Sequence, residues 1–182
     1  MPDVVIVGDG PGGLSAALLL AKKGKDVVVF GQDKTAMHAA LLLNYLGIEK
    51  MTGSDFQSVA KKQVEAQGAT LRDERVTAIA AADGGYEVTT EGGGTERSKV
   101  VILSEGKGAP LAKSLGLEAG DGGGIVVDNN GKSKLDGVYV VGRSVRPGRS
   151  QAIISAGDGA AAALDILSRE AGEPVCDWDT PD

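Results

Sequence analysis

Sulfur and imidazole are almost absent from this chain: its 182 residues hold one cysteine, Cys176, and one histidine, His38. A single thiol excludes an internal disulfide and fits a reducing compartment. One cysteine and one histidine also cannot furnish the usual zinc ligand set. No apolar run is long enough to cross a bilayer. The formal net charge is −6 and no basic stripe offsets it, which argues against a nucleic-acid partner. The chain enters an apolar run at Val4 with no charged leader, so a cytoplasmic protein without a signal peptide is expected. Its length predicts one domain, residues 1–171, whose folding hides about 70% of the unfolded surface. Residues 172–182 read as a loose tail.

What the chain has in plenty is glycine, 28 residues, and the most informative of them lie near the start. Val4-Val5-Ile6-Val7 reads as a buried strand and is followed by Gly8-Asp9-Gly10-Pro11-Gly12-Gly13, with Gly-x-Gly-x-x-Gly spacing at Gly8, Gly10 and Gly13. Gly8 lets the chain turn off the strand. Gly10 keeps side-chain atoms away from an incoming diphosphate, and Gly13 lets the following helix pack close to the sheet. The helix start offers unpaired N–H groups and a partial positive charge, and Pro11 suits its first turn. Leu14 to Lys23 continues the helix, Gly24 stops it, and Asp26 to Phe30 forms a second strand. This strand–helix–strand unit predicts a dinucleotide site; the alternative is a tight turn that binds nothing. The acid that normally follows the second strand to hold a ribose hydroxyl is replaced by Gly31, with Gln32 and Asp33 next in line. Asp9 places negative charge beside the phosphate site. It opposes binding unless its side chain turns outward.

Further along, residues 34–47 predict a short helix or ordered loop, and Ser54 to Ala66 an amphipathic helix. Ser54 is its candidate N-cap, with Phe56, Val59, Ala60 and Val64 on one face. Ala69-Thr70-Leu71 predicts a third parallel strand. Arg75–Ala81, Tyr86–Thr90 and Thr95–Ser98 alternate between glycine turns and predict an antiparallel meander. Buried strands follow at 99–103, 125–127 and 138–141, with a short helix at 109–115 between the first two. An alanine-rich helix spans 152–170. The expected class is α/β, a Rossmann-like three-layer ββα fold with a parallel sheet and a small meander.

Laid out in this order, the chain resembles the flavin-binding half of thioredoxin reductase-like oxidoreductases with two dinucleotide domains. Four segments carry the resemblance: the N-terminal fingerprint; Asn44-Tyr45-Leu46-Gly47 with the Thr52-Gly53 helix start; Val100 to Gly106; and Gly137 to Gly142 followed by Gln151 to Gly159. The resemblance implies FAD as cofactor and a homodimer as assembly. It places the diphosphate at Gly8, Gly10, Pro11, Gly12 and Gly13, the adenosine ribose at Gln32 or Asp33, and adenine at the Val76 backbone. Asn44, Gln151, Ala152 and Ile153 would lie near the flavin ring, with Ser104, Gly106, Gly142 and Arg143 completing the cofactor-binding set. A helix start near the ring stabilises negative charge on the reduced flavin.

The departures from that family are specific. A nicotinamide domain stands between the third and fourth segments in full-length relatives; here Lys107 to Gly124 stands there, with no second glycine fingerprint and no Cys-x-x-Cys. Leu46 replaces a proline, Glu105 a threonine, Ser150 an arginine, and Arg143 the aspartate that holds the ribityl chain. Arg143 either pairs with the pyrophosphate, a charge-assisted contact, or is a surface arginine. His38 and Cys176 read as structural and idle, and Glu105 as a solvated loop residue rather than a base. The chain therefore reads as a minimal FAD-binding oxidoreductase fed by free NAD(P)H, a thiol or a redox partner protein. The alternatives are a non-catalytic flavin carrier or subunit of a split reductase, and a degenerate domain holding NAD(P), which Lys34 beside Gly31 would suit, or no cofactor.

Overall fold

A computed structural model of the chain describes residues 1–181; Asp182, the last residue of the segment expected to be loose, lies outside the described residues. The elements run β1 (Val4–Val7), α1 (Pro11–Lys22), β2 (Val27–Gly31), a 3-10 turn (Ala36–Ala39), β3 (Leu41–Leu42), β4 (Met51–Thr52), α2 (Gly53–Ala66), β5 (Thr70–Asp73), β6 (Val76–Ala82), β7 (Gly85–Thr90), β8 (Thr95–Ser98), β9 (Val100–Leu103), α3 (Pro110–Ser114), β10 (Val138–Val140) and α4 (Ala152–Ala171). The central sheet is parallel, in the order β10-β9-β1-β2-β5. A second sheet, β6-β7-β8, is the antiparallel meander.

Strand alternation divides the core in two. Val4, Ile6, Val27, Val29, Ile102 and Tyr139 face the helices, while Val5, Val7, Val28, Phe30, Val101, Val138 and Val140 face the meander. Strands β1, β2, β9 and β10 are covered on both faces, which is why their apolar runs are nearly continuous, whereas the edge strand β5 is partly exposed. The helical layer is unusually close. A Cβ at Gly159 of α4 would lie 2.0 Å from the Gly12 carbonyl oxygen of α1, and one at Gly13 would lie 1.9 Å from the Gly8 carbonyl oxygen.

Several expectations need correction. Residues 125–127 form no ladder: Ile125 makes one isolated bridge to Ala119, its N–H donates to the Ser144 carbonyl at 2.9 Å, and Val126 is exposed. Gly124, pressed against the Val145 carbonyl, holds this segment across a loop and away from any strand neighbour. The cap of α2 is Thr52, whose Oγ1 accepts the Asp55 N–H at 3.1 Å; the helix begins at Gly53, ahead of Ser54. Val59 is exposed; Val64 is buried as expected, and Gln57 is buried as well. Residues 34–47, expected as a short helix or ordered loop, do contain a short 3-10 helix at Ala36–Ala39, and in addition hold β3, which pairs with β4. The tail is fastened as far as Asp179: Lys22 and Lys23 hold the Asp177 carboxylate at 2.7 and 2.9 Å, Lys22 also pairs with Asp179, and Ser168 Oγ accepts the Val175 N–H at 2.9 Å.

Candidate functional site

The carboxyl ends of the parallel strands open into a cleft of about 990 Å³, the place where open α/β sheets bind ligands. Gly8 makes the first turn out of β1 with φ +106°, and the Ser104 carbonyl crosses so closely behind it that an added Cβ would lie 2.2 Å away. A side chain there is barred by both conformation and space. Gly10 then caps α1 through its backbone alone. Above it the cleft is open, with Thr35 Oγ1, 3.5 Å from an imagined Cβ, the nearest atom.

Two long helices aim their N-termini at this cleft, α1 from Gly10 and α4 from Gln151, and neither start has a side-chain cap among the described residues. Uncapped N–H groups and two dipole ends favour an anion. Arg143 lines the same cleft, and its Nε is buried with no hydrogen-bond partner among the described residues. A sealed-off cationic donor is costly unless something accepts from it. Its loop is fixed from behind, where Asp158 of α4 accepts the Gly142 N–H at 3.2 Å and pairs with Arg146 at 2.5 Å. Burial pushes the Asp158 carboxyl up, against the pull of Arg146.

Of the anticipated residues, Gly8, Gly10, Pro11, Gly12, Gln32 and Asn44 line the cleft, as do Val76, Ser104, Gly106, Arg143, Gln151 and Ala152. Segments far apart in sequence meet directly: Asn44 Nδ2 donates to Gln151 Oε1 at 2.9 Å. Gly13 lies under the turn as packing, Gly142 sits behind Arg143, and Ile153 points away on α4. Asp33 stands outside the lining. Lys61 Nζ at 2.7 Å and His38 Nε2 at 3.1 Å engage its carboxylate and hold its pKa below the ordinary value. Of the two ribose candidates, only Gln32 faces the cleft. His38 bridges Asp33 and Ser54, with Nδ1 2.9 Å from Ser54 Oγ, and ties the 3-10 turn to α2. Glu105 is neither a solvated loop residue nor a free base. Its carboxylate accepts the Leu111 and Ala112 N–H groups at 2.8 and 2.9 Å and caps α3, while burial raises its pKa.

Lys61, Gln57 and Asp158 escaped sequence reading. Lys61 and Gln57 lie four residues apart on the face of α2 that meets the glycine turn. Gln57 Nε2 donates to the Asp9 carbonyl at 2.8 Å, and Lys61 reaches Asp9 Oδ2 at 3.3 Å. A buried polar glutamine, set between the half-buried Phe56 and the exposed Ser58, leaves no apolar periodic signal.

Fold and cleft together define an α/β domain of the Rossmann-like type. The family described as pyridine nucleotide-disulphide oxidoreductase matches residues 2–51 and 42–159, and the chain belongs to it. Ferredoxin--NADP reductase of Lactococcus lactis subsp. lactis (strain IL1403) is 26% identical over 166 residues, which cover 87% of this chain and 49% of that protein. An alkyl hydroperoxide reductase subunit of Staphylococcus aureus is 32% identical over 109 residues, 58% of this chain and 22% of that one. The chain thus spans half or less of the length of these relatives. Among solved structures, a thioredoxin reductase from Gloeobacter violaceus superposes with a TM-score of 0.88 at 18% identity, over 98% of this chain and 99% of the other. The atypical thioredoxin reductase TRi from Desulfovibrio vulgaris Hildenborough gives 0.85 at 20% identity, over 95% and 99%. These likenesses establish the fold. Among the described residues, no helix is long and apolar enough to cross a membrane.

Proposed function

We propose that this chain binds FAD along the cleft and serves as the flavin-carrying part of an oxidoreductase. One observation carries the reading: two uncapped helix starts and the orphaned Nε of Arg143 converge on a single cleft lined by the glycine turn. That donor set fits a diphosphate, because anionic oxygens would satisfy groups the protein leaves unpaired. Gly10 and Gly12 keep the backbone accessible, and Arg143 supplies the countercharge. Gln32 and the Val76 backbone stand at the adenosine end. The Asn44–Gln151 pair and the α4 start stand at the ring end, where their N–H groups stabilise developing negative charge. Bound flavin supplies hydride or electron transfer; the chain binds, orients and tunes it.

The test is an absorption spectrum of the purified protein, followed by titration of the apoprotein with FAD. A flavin spectrum with one FAD per chain supports the reading, and apoprotein that takes up no FAD refutes it. The single cysteine favours a second reading of the same site, a subunit that receives electrons from another chain, since this chain cannot form a dithiol of its own. Anaerobic bleaching by NADPH without added protein marks a self-sufficient enzyme, and bleaching only with a partner reductase marks the subunit. We also propose a homodimer; a purely monomeric species in sedimentation velocity refutes that assembly.

A further inference from the structure

The strand that usually ends in an acid ends here in Gly31, yet a carboxylate stands over it. A Cβ built on Gly31 would lie 2.2 Å from the Asp9 carboxyl carbon, 2.5 Å from Asp9 Cβ and 2.6 Å from Oδ2. The Asp9 side chain therefore fills the place from which a residue-31 side chain would project. It is held there firmly. Asp9 Oδ2 accepts the Asp33 N–H at 2.9 Å and pairs with Lys61 at 3.3 Å, while the buried Gln57 fixes the Asp9 carbonyl. Oδ1 has no hydrogen-bond partner among the described residues and is not sealed from solvent, and Asp9 lines the cleft.

We propose that Asp9 is the carboxylate that receives the adenosine ribose hydroxyls, delivered from the glycine turn instead of from the end of β2, and that position 31 is glycine because the acid arrives from the other side. Acid and glycine have exchanged places across the contact between positions 9 and 31. The inference rests on the FAD reading and deepens it. It also sets ligand class. A free 2′-hydroxyl can donate to Asp9, whereas a 2′-phosphate would face a carboxylate whose neighbouring ammonium is already engaged. Ligands with an unphosphorylated adenosine ribose are therefore preferred, despite Lys34 at the rim of the cleft.

Calorimetric titration of the full-length apoprotein tests this with four ligands: FAD, ADP-ribose, ADP-ribose lacking the 2′-hydroxyl, and ADP-ribose carrying a 2′-phosphate. A hydrogen bond to a charged acceptor corresponds to a preference of roughly tenfold or more. The unmodified protein should prefer ADP-ribose over the deoxy and the phosphorylated forms by about that factor, and Asp9→Ala should lose the preference over the deoxy form. Gly31→Glu alone should weaken FAD binding by at least about tenfold, because its side chain meets Asp9. Asp9→Gly combined with Gly31→Glu should recover affinity to within about threefold, having restored one acid at one place. No preference in the unmodified protein, a preference for the 2′-phosphate, or a double variant as weak as Gly31→Glu while melting like the parent would each overturn the assignment. Binding of FAD with any of those results leaves the flavin reading standing. Absence of binding to both FAD and ADP-ribose removes the flavin reading and this assignment together.

Discussion

Replacing Arg143 with methionine should move stability and affinity in opposite directions. In the unliganded protein the Arg143 Nε is buried and unpaired among the described residues. An unsatisfied buried donor costs about 1–3 kcal/mol, and methionine keeps most of the stem while removing that donor. Because Arg143 is half-buried, the lower end applies, roughly 1 kcal/mol of added stability. For a chain of this size that raises the unfolding midpoint by about 2–4 °C. With FAD present the sign reverses. A charge-assisted hydrogen bond to phosphate contributes about 1.5–3 kcal/mol, so affinity should fall about 10- to 100-fold. Arg143→Lys should lie between, since a lysine keeps charge but loses the planar fork. Differential scanning calorimetry with and without FAD, alongside titration of the apoprotein, measures both quantities. An unliganded Arg143→Met protein that melts lower and binds FAD as well as the parent would refute the reasoning.

The helical layer and the rim yield further outcomes. Gly159→Ala sets a methyl 2.0 Å from the Gly12 carbonyl oxygen; overpacking of this kind costs about 1–3 kcal/mol, seen as a midpoint several degrees lower, and it should weaken FAD binding by shifting the glycine turn. Lys61→Met removes the ammonium that, with His38, holds the Asp33 carboxyl below its ordinary value. A depressed acid stabilises the fold above its unfolded pKa and loses that contribution as pH falls through the folded value. Urea unfolding should therefore show a deficit of at most about 1 kcal/mol for so exposed a pair at pH 7, shrinking as the pH drops below about 4; a deficit that grows on acidification contradicts the ion-pair account. Asn44→Ala and Gln151→Ala should be coupled in a double-mutant cycle, by about 0.5–1 kcal/mol in FAD affinity, and strict additivity would show that the observed hydrogen bond does not shape the ring end of the cleft.

The parallel sheet was legible because its strands carry their environment in their composition: Val4–Val7 and Val100–Leu103 are apolar throughout, as only strands covered on both faces are. The meander was legible because glycine pairs interrupt alternating residues at Gly84-Gly85 and Gly93-Gly94. Boundaries decided by competition between neighbours were not. Thr52 and Ser54 are both competent caps, and Thr52 takes the role because Gly53 packs against the Met37 carbonyl, where an added Cβ would be 1.8 Å away. Ile125-Val126-Val127 has strand composition, but strand formation needs a ladder, and the segment instead spans a loop gathered by Gly122, Gly123 and Gly124.

The candidate site divides along the same physical line. Residues whose role follows from local backbone, such as Gly8, Gly10 and Pro11, can be read from spacing, because turn and helix start are fixed within a few residues. Residues whose role follows from a meeting of distant segments cannot. From sequence alone, Asp9 counts against an anion site and Gly31 counts as a missing acid. In the fold the two share one volume, and neither is a defect. An aspartate whose carboxyl carbon lies 2.2 Å from where a residue-31 Cβ would stand, with Lys61 3.3 Å from its Oδ2, has its charge partly offset by an ammonium that lies outside the cleft lining. Its charge is thus held toward the end of β2, and on the FAD reading proposed above Arg143, whose Nε is buried and unpartnered among the described residues, is the countercharge in the cleft. Losing either member of the Asp9–Gly31 pair alone leaves a clash or a gap, so the two positions are constrained together even though no pattern in the linear sequence couples them.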